Sequence, residues 1–319
     1  MKVLVTGAGG FIGHHLVNYL KARNYWVRAA DIKLPEYEAS RADEFQQTDL
    51  REYQNCVNAV QGIDWVFHLA ADMGGIGYIS QFHSDICSNN TLINLNLLNA
   101  STSEKVQKFL FTSTACIYPL HLQENIDVQP LKESDAHPAQ PEEGYGWEKL
   151  YMEKLCQYYS REKDLAVRVV RLHNVYGPLG TWKGGREKAP AAICRKVAMA
   201  NKSDSIVVWG DGSQTRSFMY YEDCVDGIHR IMLSDFDSPL NLGRNDLISL
   251  KSLVEIVSKV ANKEIIIDYD ITKPQGVRGR NSDNSLIKEV LNWEPSISME
   301  SGISQTYEWI NSQVKKDPS

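Results

Sequence analysis

Tyr145 and Lys149 stand four residues apart, which places both on one face of a helix. An ammonium in that position lowers the pKa of the phenol and can hold the ribose of a nicotinamide cofactor. The phenolate then takes the proton from a substrate hydroxyl while hydride leaves for the cofactor. Upstream, Ser113-Thr114-Ala115-Cys116 follows a strand-like run, and the Thr114 hydroxyl there could polarise the same oxygen. Each feature also has a plainer reading, as a surface pair on a helix or, for Cys116, a small buried hydrophobe. The glycines Gly7, Gly10 and Gly13 frame Gly7-Ala8-Gly9-Gly10-Phe11-Ile12-Gly13 between the first strand and the first helix. Glycine there permits a tight turn and close approach to a pyrophosphate, and the helix opening at Phe11 and Ile12 offers free N–H groups to it. Asp31 ends the next strand, 24 residues after Gly7. It is placed to accept hydrogen bonds from ribose hydroxyls and to repel a 2′-phosphate, so the cofactor expected is NAD. Asp49 either meets the adenine amino group or caps the helix that follows it.

These residues need strands and helices in alternation. Lys2–Thr6, Trp26–Ala30, Trp65–Ala70, Lys108–Thr112 and Ala166–Leu172 read as buried strands, and Phe11–Arg23, Leu50–Val60, Ser84–Thr102 and Tyr145–Glu162 as helices. That rhythm predicts an α/β fold with a doubly wound parallel sheet. After Gly177-Pro178 it breaks. A helical run over about 191–200, a strand at Ile206–Trp209, and helices at Ser249–Val260 and Met299–Val314 then make a second lobe. One helix ends at Asn292-Trp293-Glu294-Pro295, and Lys315–Ser319 reads as a fraying tail. Trp209–Asp223 reads as a segment returning to the large sheet. The 319 residues suit about two lobes. With 34 Lys and Arg against 40 Asp and Glu, the net charge of -6 gives no reason to expect nucleic acid or a membrane as partner. The six cysteines form no C-x-x-C pair, so neither a metal site nor a disulfide framework is expected. No apolar run approaches the ~18 residues of a membrane span, and the N-terminus lacks the features of a signal peptide. A soluble, cytoplasmic protein with reduced thiols is expected.

The glycine turn, the hydroxyl after a strand and Y-x-x-x-K, in that order, resemble the extended short-chain dehydrogenase/reductase family. Arg171–Pro178, Gly210–Phe218 and Arg280-Asn281-Ser282-Asp283 carry the resemblance onward. It implies a Rossmann-type NAD-binding part over 1–177, with a return segment around 209–240, and a smaller α/β substrate-binding lobe over 178–319. Family members oxidise a nucleotide sugar at C4″, and the ketone acidifies the protons at C3″ and C5″. The carboxylate that a 4,6-dehydratase needs after the threonine is replaced here by Ala115 and Cys116. Inverting a stereocentre needs a proton carrier on each face of the ring. Cys116 suits one face, and Lys188, in the cation-rich loop Thr181–Pro190, suits the other.

Gly74-Gly75-Ile76-Gly77, Ala115–Pro119, Gly184–Pro190 and Gly276–Asn284 narrow the resemblance to the GDP-mannose 3,5-epimerase family. It implies an NAD-dependent isomerase forming GDP-L-galactose, or GDP-L-gulose by inversion at C5″ alone, and a homodimer through helices near 84–102 and 145–162. Cys116 and Lys188 are then the acid/base pair and Tyr145 with Lys149 the redox pair. Sugar contacts are implied for Gly74, Thr114 and Asn174, and diphosphate contacts for Lys196, Arg216 and Arg280. Further substrate contacts are implied for Ala115, Glu187, Ala189, Gln214, Thr215 and Ser217. The family's plant members carry Ser at the position of Thr114, and they extend beyond the last residue of this chain. Several residues keep a plainer alternative: Lys188 as a phosphate neutraliser, Asn174 as a partner for loop backbone, Arg280 as a surface ion pair, Trp182 and Trp209 as packing. A nucleotide-sugar 4-epimerase is the alternative reading within enzymes. A non-catalytic NAD(H) sensor is the alternative outside them, though a sensor needs only the glycine turn.

Overall fold

β-Branched strands alternate with amphipathic helices through the first half of the chain, and the resulting computed structural model describes residues 1–273 and 276–317, with backbone alone for Ile76. Strands β1 (Lys2–Thr6), β2 (Trp26–Asp31), β3 (Glu44–Gln47), β4 (Trp65–His68), β5 (Lys108–Thr114) and β6 (Ala166–Leu172) interleave with α1 (Phe11–Lys21), α2 (Tyr53–Val60), α3 (Ile76–Ile79), α4 (His83–Ser103) and α5 (Tyr145–Glu162). Next come β7 (Val175–Tyr176), α6 (Ala189–Met199), β8 (Ser205–Trp209), β9 (Thr215–Arg216), β10 (Met219–Tyr220), α7 (Tyr221–Leu233) and β11 (Leu240–Leu242). The chain closes with β12 (Ile248–Ser249), α8 (Leu250–Ala261), β13 (Ile266–Asp270), β14 (Gly279–Arg280), α9 (Ser285–Leu291) and α10 (Met299–Lys316).

The large sheet runs β11-β6-β5-β4-β1-β2-β3. Every pairing in it is parallel, with Leu4 in register with Arg28 on one side and Val66 on the other. Parallel strands are buried on both faces, and the central β1 and β4 are accordingly largely apolar, whereas the edge strand β3 is Glu44-Phe45-Gln46-Gln47. Leu16, Val17 and Leu20 of α1 join Val225, Ile228 and Met232 of α7 over one face. Cys56 of α2, Leu97 and Leu98 of α4 and Met152 of α5 cover the other. A separate core of Ile193, Val197, Leu253, Val257, Ile303 and Ile310 holds α6, α8 and α10 together.

Element ends shift where side chains capture backbone groups. The strand expected over Trp65–Ala70 stops at His68, because Leu69 and Ala70 donate their N–H groups to Thr6 Oγ1 at 3.1 and 3.2 Å. The helix expected from Leu50 begins at Tyr53, since the Asp49 carboxylate accepts the Arg51 N–H at 2.9 Å and turns the chain first. Residues 209–216 do not rejoin the large sheet. Trp209 pairs with Asp270, and β9 lies between β12 and β14. The return starts at β10, which pairs with β7, and continues through α7 to β11 beside β6. Of the expected fraying tail, Lys315 and Lys316 are helical, and Pro318 and Ser319 lie outside the described residues. Among the described residues no helix is long and apolar enough to cross a membrane, and no His, Cys, Asp or Glu cluster could hold a metal.

Candidate active site

The C-terminal ends of the large sheet open into a cavity of about 1060 Å³, which reaches from the glycine turn to the second lobe. Gly7 has φ of +70°, a left-handed conformation that favours glycine. A Cβ on Gly13 would lie 2.1 Å from the Gly7 carbonyl oxygen, and one on Gly9 2.1 Å from that of Lys33. The turn therefore packs as closely as a pyrophosphate cradle requires. No side chain caps α1 at Gly10, so its first N–H groups stay available to an anion. Asp31 accepts N–H groups from Gly9 at 2.9 Å and Lys33 at 3.0 Å. Burial pushes its carboxyl up, against the pull of those two bonds. A carboxylate has about four acceptor positions, so ribose hydroxyls can still be bound. These residues fit the adenosine and pyrophosphate of NAD. Asp49 also lines the cavity, but Arg51 holds its carboxylate with contacts of 2.6 to 3.0 Å, and those hydrogen bonds lower its pKa.

Lys149 donates to the Thr112 carbonyl at 3.1 Å and lies 5.8 Å from the Tyr145 ring centroid. The expected lowering of Tyr145 by this ammonium is not what the structure gives. Burial, reinforced by Cys116 and Glu148, pushes the phenol well up, and a hydrogen bond with Thr114 pulls against it. Lys149 is itself pushed down by burial. Beneath the pair runs a buried chain whose direction the donors fix. Thr6 Oγ1 meets His68 Nδ1 at 2.8 Å, His68 Nε2 meets Asn94 Oδ1 at 2.7 Å, and Asn94 Nδ2 donates to Glu148 at 2.6 Å. Because the Asn94 amide donates to a carboxylate, its oxygen accepts from His68, which makes Nδ1 the acceptor for Thr6.

Thr114 Oγ1 accepts the Cys116 N–H at 3.2 Å and caps the tight turn Ala115–Ile117. This sets the half-buried thiol at the cavity wall. Burial and Glu142 push the Cys116 thiol up, while Arg280 pulls it down. Lys188 stands at the N-cap of α6, where Pro190 begins the helix well. Burial pushes its ammonium down, and Cys116 acts on it electrostatically.

The same cavity takes in Gly74, Ala115, Asn174, Glu187, Ala189, Lys196, Gln214 and Arg216. Asn174 donates to the Ser217 carbonyl at 3.1 Å, the backbone role allowed as its alternative. Glu187 is held by Arg195 at 2.9 Å and Lys196 donates to the Val207 carbonyl at 2.6 Å. Arg216 is pushed down to about 9 by burial. Thr215 and Ser217 are not in the lining: Thr215 Oγ1 donates to the Ile126 carbonyl and Ser217 is buried. Alternation along the strand sends these two away from the side that Arg216 takes. Arg280 lines the cavity as well. It donates to Gln123 and Glu142, and its Nη1 lies 3.6 Å from Cys116 Sγ. Trp182 packs in the second core, as expected, whereas Trp209 is 43% exposed and lines the cavity. Cys87 is half-buried. Glu142 and Gln123 carry no sequence signal, since each reads as a loop residue.

One cavity thus joins a cofactor cradle to a phenol–ammonium pair and to the Cys116 thiol and the Lys188 ammonium, an arrangement suited to an enzyme that transiently oxidises a carbon and moves protons beside it. Residues 3–243 match the NAD dependent epimerase/dehydratase family, and the chain belongs to that family. It is 46% identical to GDP-mannose 3,5-epimerase 1 of Oryza sativa subsp. japonica, over 99% of this chain and 83% of that protein. Its fold is similar to UDP-glucose 4-epimerase of Thermotoga maritima, with a TM-score of 0.89 at 26% identity over 98% of this chain and 100% of that one. UDP-glucuronic acid 4-epimerase from Bacillus cereus, solved with UDP-glucuronic acid and NAD, gives a TM-score of 0.83 at 26% identity over 98% and 100%.

Proposed function

We propose that this chain epimerises GDP-mannose at C3″ and C5″ to GDP-L-galactose, with GDP-L-gulose arising by inversion at C5″ alone, and that the residues around its cavity divide the work as follows. Gly7, Gly10, Gly13, Asp31, Tyr145 and Lys149 hold NAD. When bound, NAD supplies the acceptor and later donor of hydrogen at C4″. Tyr145, with Thr114 beside it, takes the proton from the C4″ hydroxyl and returns it at the end. Between those events Cys116 and Lys188 exchange protons with C3″ and C5″ of the acidified sugar. Lys196 and Arg216 face the nucleotide diphosphate.

The observation that carries this reading is a single cavity holding both Cys116 and Lys188 beside Tyr145. Incubation with GDP-mannose in D₂O is expected to place deuterium at both C3″ and C5″. Cys116→Ala should abolish that exchange, and exchange at the wild-type rate in this variant would sink the role of the thiol. Inversion at C4″ without exchange at either neighbour would favour the 4-epimerase reading instead.

The same proposal assigns the cofactor to the large sheet with its returning segment and the sugar nucleotide to the second lobe. It includes a homodimer across α4 and α5, supported by exposed Leu92, Trp147, Tyr151 and Tyr158 on those helices, each 48 to 58% exposed. A monomer in light scattering at micromolar concentration overturns the dimer. A cytoplasmic location is supported by six unpaired cysteines and is checked by fractionation.

A further inference from the structure

Cys116 sits in a closed ring of hydrogen bonds. Its carbonyl accepts the Glu142 N–H at 3.0 Å, the Glu142 carboxylate accepts from Arg280 Nη2, and Arg280 Nη1 returns to Cys116 Sγ at 3.6 Å. Gln123 closes the remaining side: its oxygen accepts Arg280 Nε while its amide donates to the Tyr118 and Pro119 carbonyls, both at 3.1 Å. Arg280 is 7% exposed, so its orientation is fixed by these partners rather than by solvent. An arginine beside a thiol favours the thiolate, and a carboxylate on the far side of that arginine offsets it.

We propose that Glu142 is a positioning residue for the proton exchange at Cys116: it holds Arg280 Nη1 against the sulfur and offsets the positive charge Arg280 brings there. The proposal rests on the epimerase reading above. The other titratable groups acting on the sulfur come from three further elements, Tyr145 of α5, Lys188 at the start of α6 and Arg216 of β9. Three of the groups around the thiol are therefore cationic when charged, and Glu142 is their acidic counterweight. With it, the thiol can give its proton to a sugar carbon, and the thiolate left behind can take one back.

The test reads the thiol directly. Alkylation of Cys116 by iodoacetamide is followed against pH by peptide mass spectrometry, with half-buried Cys87 as the internal reference. Glu142→Gln and Glu142→Ala are expected to move the Cys116 midpoint down by about one pH unit. Glu142→Asp, which keeps the charge, should leave it within a few tenths. The low-pH limb of deuterium exchange at the sugar should move with the midpoint. An unchanged midpoint in either neutral variant with a native circular dichroism spectrum overturns the proposal, as does an Asp variant that shifts as far as Gln. Alkylation needs no turnover, so failure of the epimerase reading, seen as exchange surviving Cys116→Ala, is a separate result.

Discussion

Tyr145 is a largely buried phenol at the cavity wall, and burial makes its ionisation costly until another group shares the charge. Its use in catalysis then depends on position more than on an intrinsically low pKa. Tyr145→Phe is expected to lower kcat by about 10²–10⁴-fold with little change in KM, since the hydroxyl acts on the proton and not on the diphosphate. A kcat within tenfold of wild type would remove Tyr145 from the proposed role. At the glycine turn the argument is steric. Gly13→Ala places a methyl carbon 2.1 Å from a carbonyl oxygen, so either the turn or the helix must move. Cofactor binding by calorimetry should weaken by at least tenfold, and an unchanged affinity would show that the pyrophosphate lies elsewhere. The reasons Tyr145, Lys149 and Cys116 were legible in the sequence are local. A helix turn fixes the first two, and a strand end fixes the third. The contacts that hold Arg280 were not legible, because Gln123 and Glu142 are 157 and 138 residues away, a proximity no spacing rule encodes.

Helix α4 shows what a periodic reading leaves out. Its expected span differs from the observed one by a residue at either end, yet its buried stripe includes Asn90 and Asn94, one turn apart. Both amides donate to Glu148, and Asn94 also accepts from His68, so the helix face serves as a polar rail between β4 and α5. Asn94→Leu removes both links. It leaves the buried Glu148 carboxylate with the single 3.3 Å bond from Asn90 and strands the His68 ring. A loss of about 2–4 kcal/mol in urea unfolding is expected. Less than about 0.5 kcal/mol would mean that water or a shifted side chain replaces the amide. Five of the seven strands of the large sheet were legible as short apolar runs, whereas β3, Glu44-Phe45-Gln46-Gln47, and the three-residue β11 carry no such run and were not read. Two-residue strands such as β7, β9 and β10 were not, because their pairing is set by tertiary position alone.

Across the whole molecule, burial keeps three histidines neutral: His15 is pushed down to about 4, and His68 and His173 to about 3. In the unfolded chain each titrates near 6.5. Between those values the unfolded state takes up protons that the folded state refuses. The stability these three histidines contribute is therefore complete above about pH 6.5 and declines as pH falls toward 3. Urea midpoints at pH 7 and pH 5, above the usual carboxylate range, should differ with the pH 7 value higher, and equal midpoints would contradict neutral burial. The sequence made the large sheet and the change of rhythm at Gly177 legible. It placed the return too early because Ile206–Trp209 has the composition of a sheet strand but finds its partner in β13. That return has a consequence for inheritance. The chain leaves the large sheet at Leu172 and comes back at Leu240 to cover the outer edge of β6. A fragment ending near Gly177 would expose that edge, a ready template for strands of neighbouring copies. A recombination joint near Gly177 would therefore take the last strand of one parent's sheet from the other.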